Sequence, residues 1–282
     1  MLNSDLIWNE VEYKKLLEFL LKEKGFLYSM YRDNYLSRRV ESRLYATRCG
    51  SLSKYLRLLK NDDSELIKLY DALTINVSSF FRNKEVFDFL REQVFPEIIK
   101  QKIRLGENSI NIWSMGCSTG EEPYSLAILI QRHLRIRMKR FKLRINAADI
   151  DSKALGFAKK GFYSRNRLGD LDPKIIRAFF VPVKDGYKAC DLIRGMINFQ
   201  QQDILKFQSI NTIFDLILCR NMLIYFSKKN HFKAYNYFSR HLSPGGYLVL
   251  GKAEIMFSPW ENHLENVSID HHIYRKTGTI NI

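Results

Sequence analysis

One stretch constrains what this 282-residue chain can fold into more than any other: Asn111-Ile-Trp-Ser-Met-Gly-Cys-Ser-Thr-Gly-Glu-Glu122. A strand pattern, Ser109 to Ser114, runs into a turn punctuated by Gly116 and Gly120, and from there into an amphipathic helix pattern over about Glu121 to Lys139. A second strand pattern, Leu143 to Ala148, follows that helix, so the two strands are joined by a crossover and read as a parallel βαβ unit. Further strand patterns at Ile197 to Gln200, Phe214 to Cys219 and Tyr247 to Leu250 extend the alternation into an α/β domain with a mostly parallel sheet. One stretch breaks it. Asp172-Pro173 reads as an N-cap with a proline at the first helical position, opening a short helix through Phe180. Val181 to Val183, a Lys184-Asp185-Gly186 turn and Tyr187 to Ile193 then read as a small antiparallel hairpin.

Upstream the pattern is different. From Leu6 to about Tyr70 apolar residues recur three and four apart, as in Leu16, Leu17, Leu20 and Leu21, then Leu36, Val40 and Leu44. Asp33 and Gly50 bracket one of these helices, with Arg32, Arg39 and Arg43 on a stripe beside its apolar face. No Gly/Ser linker separates the two patterns, so the expected division is a helical domain over 1–73 and an α/β domain over 74–282, with the antiparallel insertion at about 172–198.

The glycine turn also limits the chemistry. It is not GxGxxG, and it lacks the Lys-Ser/Thr pair that holds a nucleotide phosphate. Glu121 and Glu122 at the helix start repel phosphate, so a cationic, hydroxyl-rich ligand fits better. S-adenosylmethionine, with a sulfonium, an ammonium and a ribose diol, is such a ligand. The glycines would let the backbone approach it closely. The second strand ends in Ala147-Ala-Asp149-Ile-Asp151, where Asp149 is placed to accept from ribose hydroxyls and Asp151 to cap the next helix.

Composition excludes several classes. The four cysteines are scattered without a CxxC pair and the histidines lack metal-ligand spacing, so neither a metal nor a disulfide framework is expected. No signal peptide or long apolar run is visible, and a reducing cytoplasmic setting is expected. The net charge of +15 calls for anionic partners or a solvated basic face. Between Gln131 and Arg177, 14 Lys and Arg face 4 Asp and Glu, which supplies most of that excess.

Taken in order, Asn76-Val-Ser-Ser-Phe-Phe-Arg82, Gly116-Cys-Ser-Thr-Gly-Glu-Glu-Pro-Tyr-Ser125, Ala148-Asp-Ile-Asp151, Cys219-Arg-Asn-Met-Leu-Ile-Tyr-Phe226 and Leu242-Ser-Pro-Gly-Gly-Tyr-Leu-Val-Leu-Gly251 resemble the CheR family of chemotaxis receptor methyltransferases. The resemblance covers nearly the whole chain. It implies an all-α N-terminal receptor-docking domain, then a Rossmann-like methyltransferase domain carrying a small antiparallel β-subdomain. The activity implied is transfer of a methyl from S-adenosylmethionine to glutamate carboxylates of chemoreceptors, leaving S-adenosylhomocysteine. By the same resemblance Asn76, Ser78 and Arg82 belong to a segment closing over the cofactor, and Glu121 faces its methionine end. Asp149 takes the ribose, Asp203-Ile204 the adenine, and Arg220-Asn221 line the pocket floor. Arg82 and Tyr225 stand beside the reacting methyl. Ser78 replaces the family's usual threonine and Asp203 a frequent asparagine. In isolation Arg82 reads as a surface charge, and Tyr225, Phe80, Phe81, Ile224 and Phe226 as packing residues. Pro244-Gly245-Gly246 reads as a tight turn between helix and strand.

Receptor helices rich in glutamate would match the stripe Arg32, Arg39 and Arg43, and a monomer is expected. The short turn at Lys184-Asp-Gly186 argues against tethering to a receptor C-terminal peptide. The competing reading is an RNA or DNA methyltransferase, invited by the pI of about 9.6. Its Asp/Asn-Pro-Pro-aromatic turn is replaced here by Cys219-Arg-Asn-Met222.

Overall fold

The computed structural model of the chain describes residues 9–74, 78–169, 171–208, 210–254, 256 and 263–278. Two compact units result, one of Met1–Asn76 with Tyr225–Asn230, the other of Val77–Ile224 with His231–Ile282.

The first unit holds helices α1 (Glu10–Lys24), α2 (Asp33–Thr47), α3 (Leu52–Asn61) and α4 (Asp63–Leu73). Their ends are set by short polar side chains. The Asn9 side chain accepts from Val11 N at 2.9 Å, and Asp62 accepts from Ser64 N at 2.8 Å, each satisfying amides that a first helical turn leaves without partners. Leu16, Leu17, Leu20, Leu36, Val40 and Leu44 fill one buried cluster with Phe26, Tyr55 and Leu69, as the three-and-four spacing predicts, while Leu21 faces out. Helix α2 begins at the expected Asp33 but stops before Gly50, because Arg48 adopts the left-handed conformation at φ 54°.

In the second unit α5 (Lys84–Phe89), a π-turn at Leu90–Val94 and α6 (Phe95–Leu105) lead into β1 (Ser109–Met115). Helix α7 (Glu121–Leu129), a π-turn at Ile130–Leu134 and α8 (Arg135–Met138) then cross over to β2 (Lys142–Asp149). There follow α9 (Ser152–Lys160), β3 (Phe162–Tyr163), α10 (Pro173–Phe179), β4 (Phe180–Val183), β5 (Gly186–Ala189) and α11 (Asp191–Arg194). The chain continues through β6 (Ile197–Gln201), β7 (Phe214–Cys219), α12 (Lys228–His241), β8 (Leu242–Leu250), β9 (Leu264–Ser268) and β10 (Ile273–Lys276). The large sheet has the order β6-β2-β1-β7-β8-β10-β9, with β3-β5-β4 as a separate antiparallel sheet. The all-α, Rossmann-like α/β and β-subdomain architecture is therefore the one the sequence implied.

Three local readings change. The insertion reaches back to Phe162, because β3 pairs with β5, and β5 ends at Ala189, so the residues expected to prolong it form α11. Pro244-Gly245-Gly246 lies inside β8, where the pairing with β7 shifts register and Gly245 takes φ 73°. The antiparallel pair β9–β10 at the sheet edge escaped the sequence reading.

The five strands β6, β2, β1, β7 and β8 are parallel, and their register decides where chemistry can occur. Gln200 pairs with Ala148, Ala148 with Met115, Met115 with Cys219 and Cys219 with Leu250. The next residue on β2, β1, β7 and β8 is Asp149, Gly116, Arg220 and Gly251, respectively, so a single row delivers four motifs to one carboxyl edge. Open α/β sheets bind their ligands at this edge.

Glu65 fastens the helical unit. Only 3% exposed, its carboxylate accepts from Arg43 Nε at 3.0 Å, Arg43 Nη2 at 2.5 Å and the buried Tyr55 hydroxyl at 2.8 Å. The burial and this carboxylate hold the Tyr55 hydroxyl well above the usual range for a phenol. Replacing Glu65 with Ala strands that hydroxyl, so chemical denaturation should show a loss of about 2–3 kcal/mol with the helical content retained. A loss below half a kcal/mol, roughly the noise of surface substitutions, would contradict this role.

Candidate functional site

The turn after β1 is shaped by backbone that few residues adopt: Gly116 at φ 64°, Ser118 at φ 50° and Gly120 at φ 93°. Both glycines are also in close contact with protein neighbours. A Cβ on Gly116 would lie 3.3 Å from Met222 Sδ, and one on Gly120 would lie 2.9 Å from Ala158 Cβ. The turn is pinned to the neighbouring strand, because Cys117 N donates to Ala148 O at 3.1 Å and Ser118 N to Asp149 Oδ2 at 2.7 Å. Asp149 Oδ1 accepts from Asp151 N at 2.9 Å, and Asp151 caps α9 by accepting from Lys153 N and Ala154 N, as expected. Burial raises the pKa of Asp149, opposed by its backbone hydrogen bonds.

Glu121, 1% exposed, opens α7. Its carboxylate accepts from Thr119 Oγ1 at 2.7 Å and from Arg167 Nη1 at 2.7 Å. Glu122 points to the other side of the helix, accepting from Ser114 Oγ at 2.7 Å and lying 3.3 Å from Arg220 Nη1. Three carboxylates thus surround the turn against two guanidinium groups, and buried Ser118 Oγ has no hydrogen-bond partner among the described residues. A cationic ligand with a hydrogen-bonding tail suits this surplus of negative charge and the open hydroxyl; a phosphate does not.

Arg220 is a brace more than an exposed contact. Its side chain is 2% exposed, and Nη2 donates to Arg82 O and to Asn83 Oδ1, both at 2.8 Å. The segment before it is bent by Phe81 at φ 49° and Asn83 at φ 62°, and Phe81 N donates to Ser125 Oγ at 2.8 Å. Arg82 therefore sits on a strained bend tied to both β7 and α7, and it lines a cleft of about 840 Å³ with Phe87, Arg132 and Asp172. Phe80 packs on Tyr163 and Phe180, as a core residue should. Ser78 is half-buried nearby in sequence, and Asn76 lies outside the described residues.

Asp203 and Ile204 reach the same edge because Gln202 N donates to Asp149 O at 2.9 Å. Asp203 spends one oxygen capping the short helix that follows, accepting from Leu205 N at 3.0 Å, and half-burial raises its pKa. Ile204 is buried.

Sequence reasoning passed over Glu254. Only 1% exposed, it presents Oε2 to the amides of Gly251 and Asn221 at 2.6 and 2.9 Å, and Oε1 to those of Leu223 and Ile224 at 2.6 and 3.4 Å. One carboxylate thereby fixes the whole turn after β7, including Asn221 at φ 61°. Gly251 is required there, since a Cβ would come within 2.7 Å of Asn221 N. Arg167 was likewise not singled out, because only the fold brings it to Glu121, 46 residues earlier.

Tyr225 is grouped with the helical unit. Arg32 N donates to Tyr225 O at 2.9 Å, Arg32 Nε to Phe226 O at 3.0 Å, and the Tyr225 ring lies 4.7 Å from that of Tyr35. The basic stripe is partly consumed by these contacts. Arg43 is neutralised by Glu65 and Arg32 holds the 225–226 backbone, while Arg39 lies over the Tyr35 ring at 5.6 Å. Burial pushes the Tyr35 hydroxyl up to about 12.

Two family profiles match the chain: "CheR methyltransferase, all-alpha domain" over residues 11–74 and "CheR methyltransferase, SAM binding domain" over residues 76–273. A chemotaxis protein methyltransferase of Listeria innocua is 31% identical over 268 residues, spanning 95% of this chain and 98% of its own. Chemotaxis protein methyltransferase 1 of Vibrio cholerae is 33% identical over 255 residues, spanning 87% and 90%.

Glutamine cannot replace Glu254, because its amide NH2 would face two backbone N–H donors. Glu254→Gln should remain folded by circular dichroism yet lose about 2–3 kcal/mol of stability and bind S-adenosylhomocysteine at least about ten-fold more weakly, the order of one charge-assisted hydrogen bond. Unchanged affinity in calorimetry would show that this carboxylate serves stability alone.

Proposed function

The chain belongs to the CheR methyltransferase family, and from that premise we propose how its residues divide the work of esterifying glutamate side chains on chemoreceptors with S-adenosylmethionine. When bound, the donor supplies an electrophilic methyl carried on a sulfonium. The acceptor carboxylate, with a reference pKa near 4.3, is ionised at neutral pH, so no strong general base is required. The protein must align donor and acceptor and exclude water from two opposite charges.

The observation that carries this reading is the row of carboxyl-edge residues with three carboxylates around the glycine turn and an open Ser118 hydroxyl beside them. In this assignment Glu121 and Ser118 serve the methionine end, Asp149 the ribose diol, and Asp203 with Ile204 the adenine. Asn76, Ser78 and Arg82 close the site, and Asn221 forms its floor while Arg220 braces it from behind. Arg82 orients the substrate carboxylate; bound equally tightly to ground and transition states it would lower KM alone. Tyr225 holds the acceptor or the methyl by hydrogen bonding and ring contact. The helical unit, 1–73, presents the receptor-docking face on α2, with Arg39 its central cation and Arg32 and Arg43 serving partly internal roles. The protein acts in the cytoplasm, as a monomer.

The direct test uses labelled S-adenosylmethionine with receptor cytoplasmic fragments: the product should be a base-labile methyl ester. Label entering nucleic acid instead would overturn the assignment. Arg82→Ala and Tyr225→Phe should each lower kcat by about ten-fold or more with the fold intact, the loss of one orienting contact; wild-type kinetics in both would remove them from the mechanism.

Donor affinity should also depend on pH through Asp149. Its folded pKa is raised, and the ionised form is the better acceptor for ribose hydroxyls. Affinity for S-adenosylhomocysteine should therefore hold at neutral pH and fall on acidification, starting above the usual aspartate range. Asp149→Asn should bind more weakly and lose that acid limb; an acid limb persisting in the variant would assign it to another group.

A further inference from the structure

No carboxylate side chain occurs between Glu122 and Asp149, while seven lysines and arginines fall between Gln131 and Ala147. Apart from Arg132, which lines the cleft beside Arg82, none of them is assigned to the methyltransferase site. In the structure this run spans the π-turn, α8 and the start of β2. Leu134 and Met138 turn inward, 3% and 4% exposed, and that fixes Arg135, Ile136 and Arg137 on the outside. Among the described residues no carboxylate lies within ion-pair distance of Arg135, Arg137, Lys139 or Arg140; the neighbouring Lys100 and Arg132 have theirs in Glu97 and Asp172.

The cations surround aliphatic side chains left in water. Ile136 is 90% exposed, Leu105 55% and Ile103 47%. Ile136 and Ile103 share a shallow groove of about 500 Å³ between α8 and α6, with Pro96 and Ile99 in its wall and Lys100, Arg137 and Arg140 on its rim.

A basic face kept only for solvation gains nothing from an isoleucine at its centre. A nucleic-acid face would offer exposed rings for stacking, and the one aromatic residue of this run, Phe141, is buried. Cations around protruding aliphatics match instead the boundary of an anionic bilayer, where phosphates lie above acyl chains.

We propose that α8 and the adjoining end of α6 form a peripheral docking surface for an anionic lipid bilayer, with Ile136 and Ile103 entering below the headgroups and Arg135, Arg137 and Arg140 lying among the phosphates. The surface is separate from the methyl-transfer residues, so it stands whether or not their assigned roles hold.

The test is co-sedimentation of the full chain with vesicles of equal parts phosphatidylglycerol and phosphatidylcholine, against phosphatidylcholine alone. The wild type should pellet with the first and not the second, and binding should weaken steeply as salt rises above about 0.1 M. Each cation removed should weaken binding about five-fold, so a variant combining Arg135→Glu, Arg137→Glu and Arg140→Glu should not pellet. Replacing the same three with Lys should restore binding. Ile136→Asp should weaken it about ten-fold or more, while both exposed-site variants keep wild-type circular dichroism and wild-type affinity for S-adenosylhomocysteine. Failure of the wild type to distinguish the two vesicles would overturn the proposal, as would undiminished binding by Ile136→Asp. So would duplex DNA binding tighter than vesicle binding and indifferent to Ile136→Asp, which would assign the face to nucleic acid.

Discussion

Parallel hydrogen bonding in register across β6, β2, β1, β7 and β8 is the constraint on which the site depends. Strands whose row ends at Gln200, Ala148, Met115, Cys219 and Leu250 must release Asp149, Gly116, Arg220 and Gly251 at one level. A slip of one residue on any strand would turn its side chains to the opposite face of the sheet, exchanging buried apolar residues for polar ones. The buried β7, Phe214–Cys219, is apolar at almost every position and packed on both faces, so its pattern sets its register only weakly, and the Asp215 carboxylate, accepting from Asn111 N at 2.9 Å and paired with Lys102, helps to fix it.

Within that frame, polar groups are held by carboxylates directed at backbone amides. Asp149 joins the turn after β1 to the end of β2, and Glu254 joins the turn after β7 to the end of β8. Amides are fixed donors, so a carboxylate with two of them on each oxygen defines a loop more narrowly than a flexible side-chain partner could. Glu254 nevertheless has a raised pKa, because desolvation of its charge outweighs the four hydrogen bonds in its titration. Its folded pKa lies above the unfolded value, so this shift disfavours the folded state at neutral pH relative to acid. The geometry is retained despite that cost, and in the proposed mechanism it keeps Asn221 beside the donor.

Much of this was legible in the sequence because it rests on local grammar. The strand-turn-helix at Asn111–Glu122, the acid ending β2 and the apolar β7 announce themselves by spacing; Asp151 and Asp172 mark helix starts by capping bonds that act over two or three residues, and Asp33 marks one as an acid in the first turn. What escaped depends on distance along the chain. Glu254 acts on residues 30 to 33 positions earlier, and Arg167 reaches Glu121 across 46. Gly120 packs closely on Ala158 and Arg43 pairs with Glu65, contacts that could not be read from the chain because a residue's type does not identify its neighbour. Pro244 misled for a related reason: proline and glycine suggest a turn, yet a shift in register lets β8 carry them.

Arginine shows how little net charge says about function in a chain this basic. Arg220 is enclosed among Glu122, Arg82 O and Asn83, Arg43 is locked to Glu65, and Arg167 is spent on Glu121. Each has an acid within reach and stabilises a loop or helix pair. Arg135, Arg137 and Arg140 have none among the described residues, although their side chains are the same. The difference is set by sequence, since a run free of acids from Pro123 to Ala148 cannot neutralise itself locally, and the tertiary ion pair it gains among the described residues, Arg132 with Asp172, leaves these three out. Charge left uncompensated around exposed aliphatic side chains is where an external anion gains most, because there it competes with no carboxylate among the described residues.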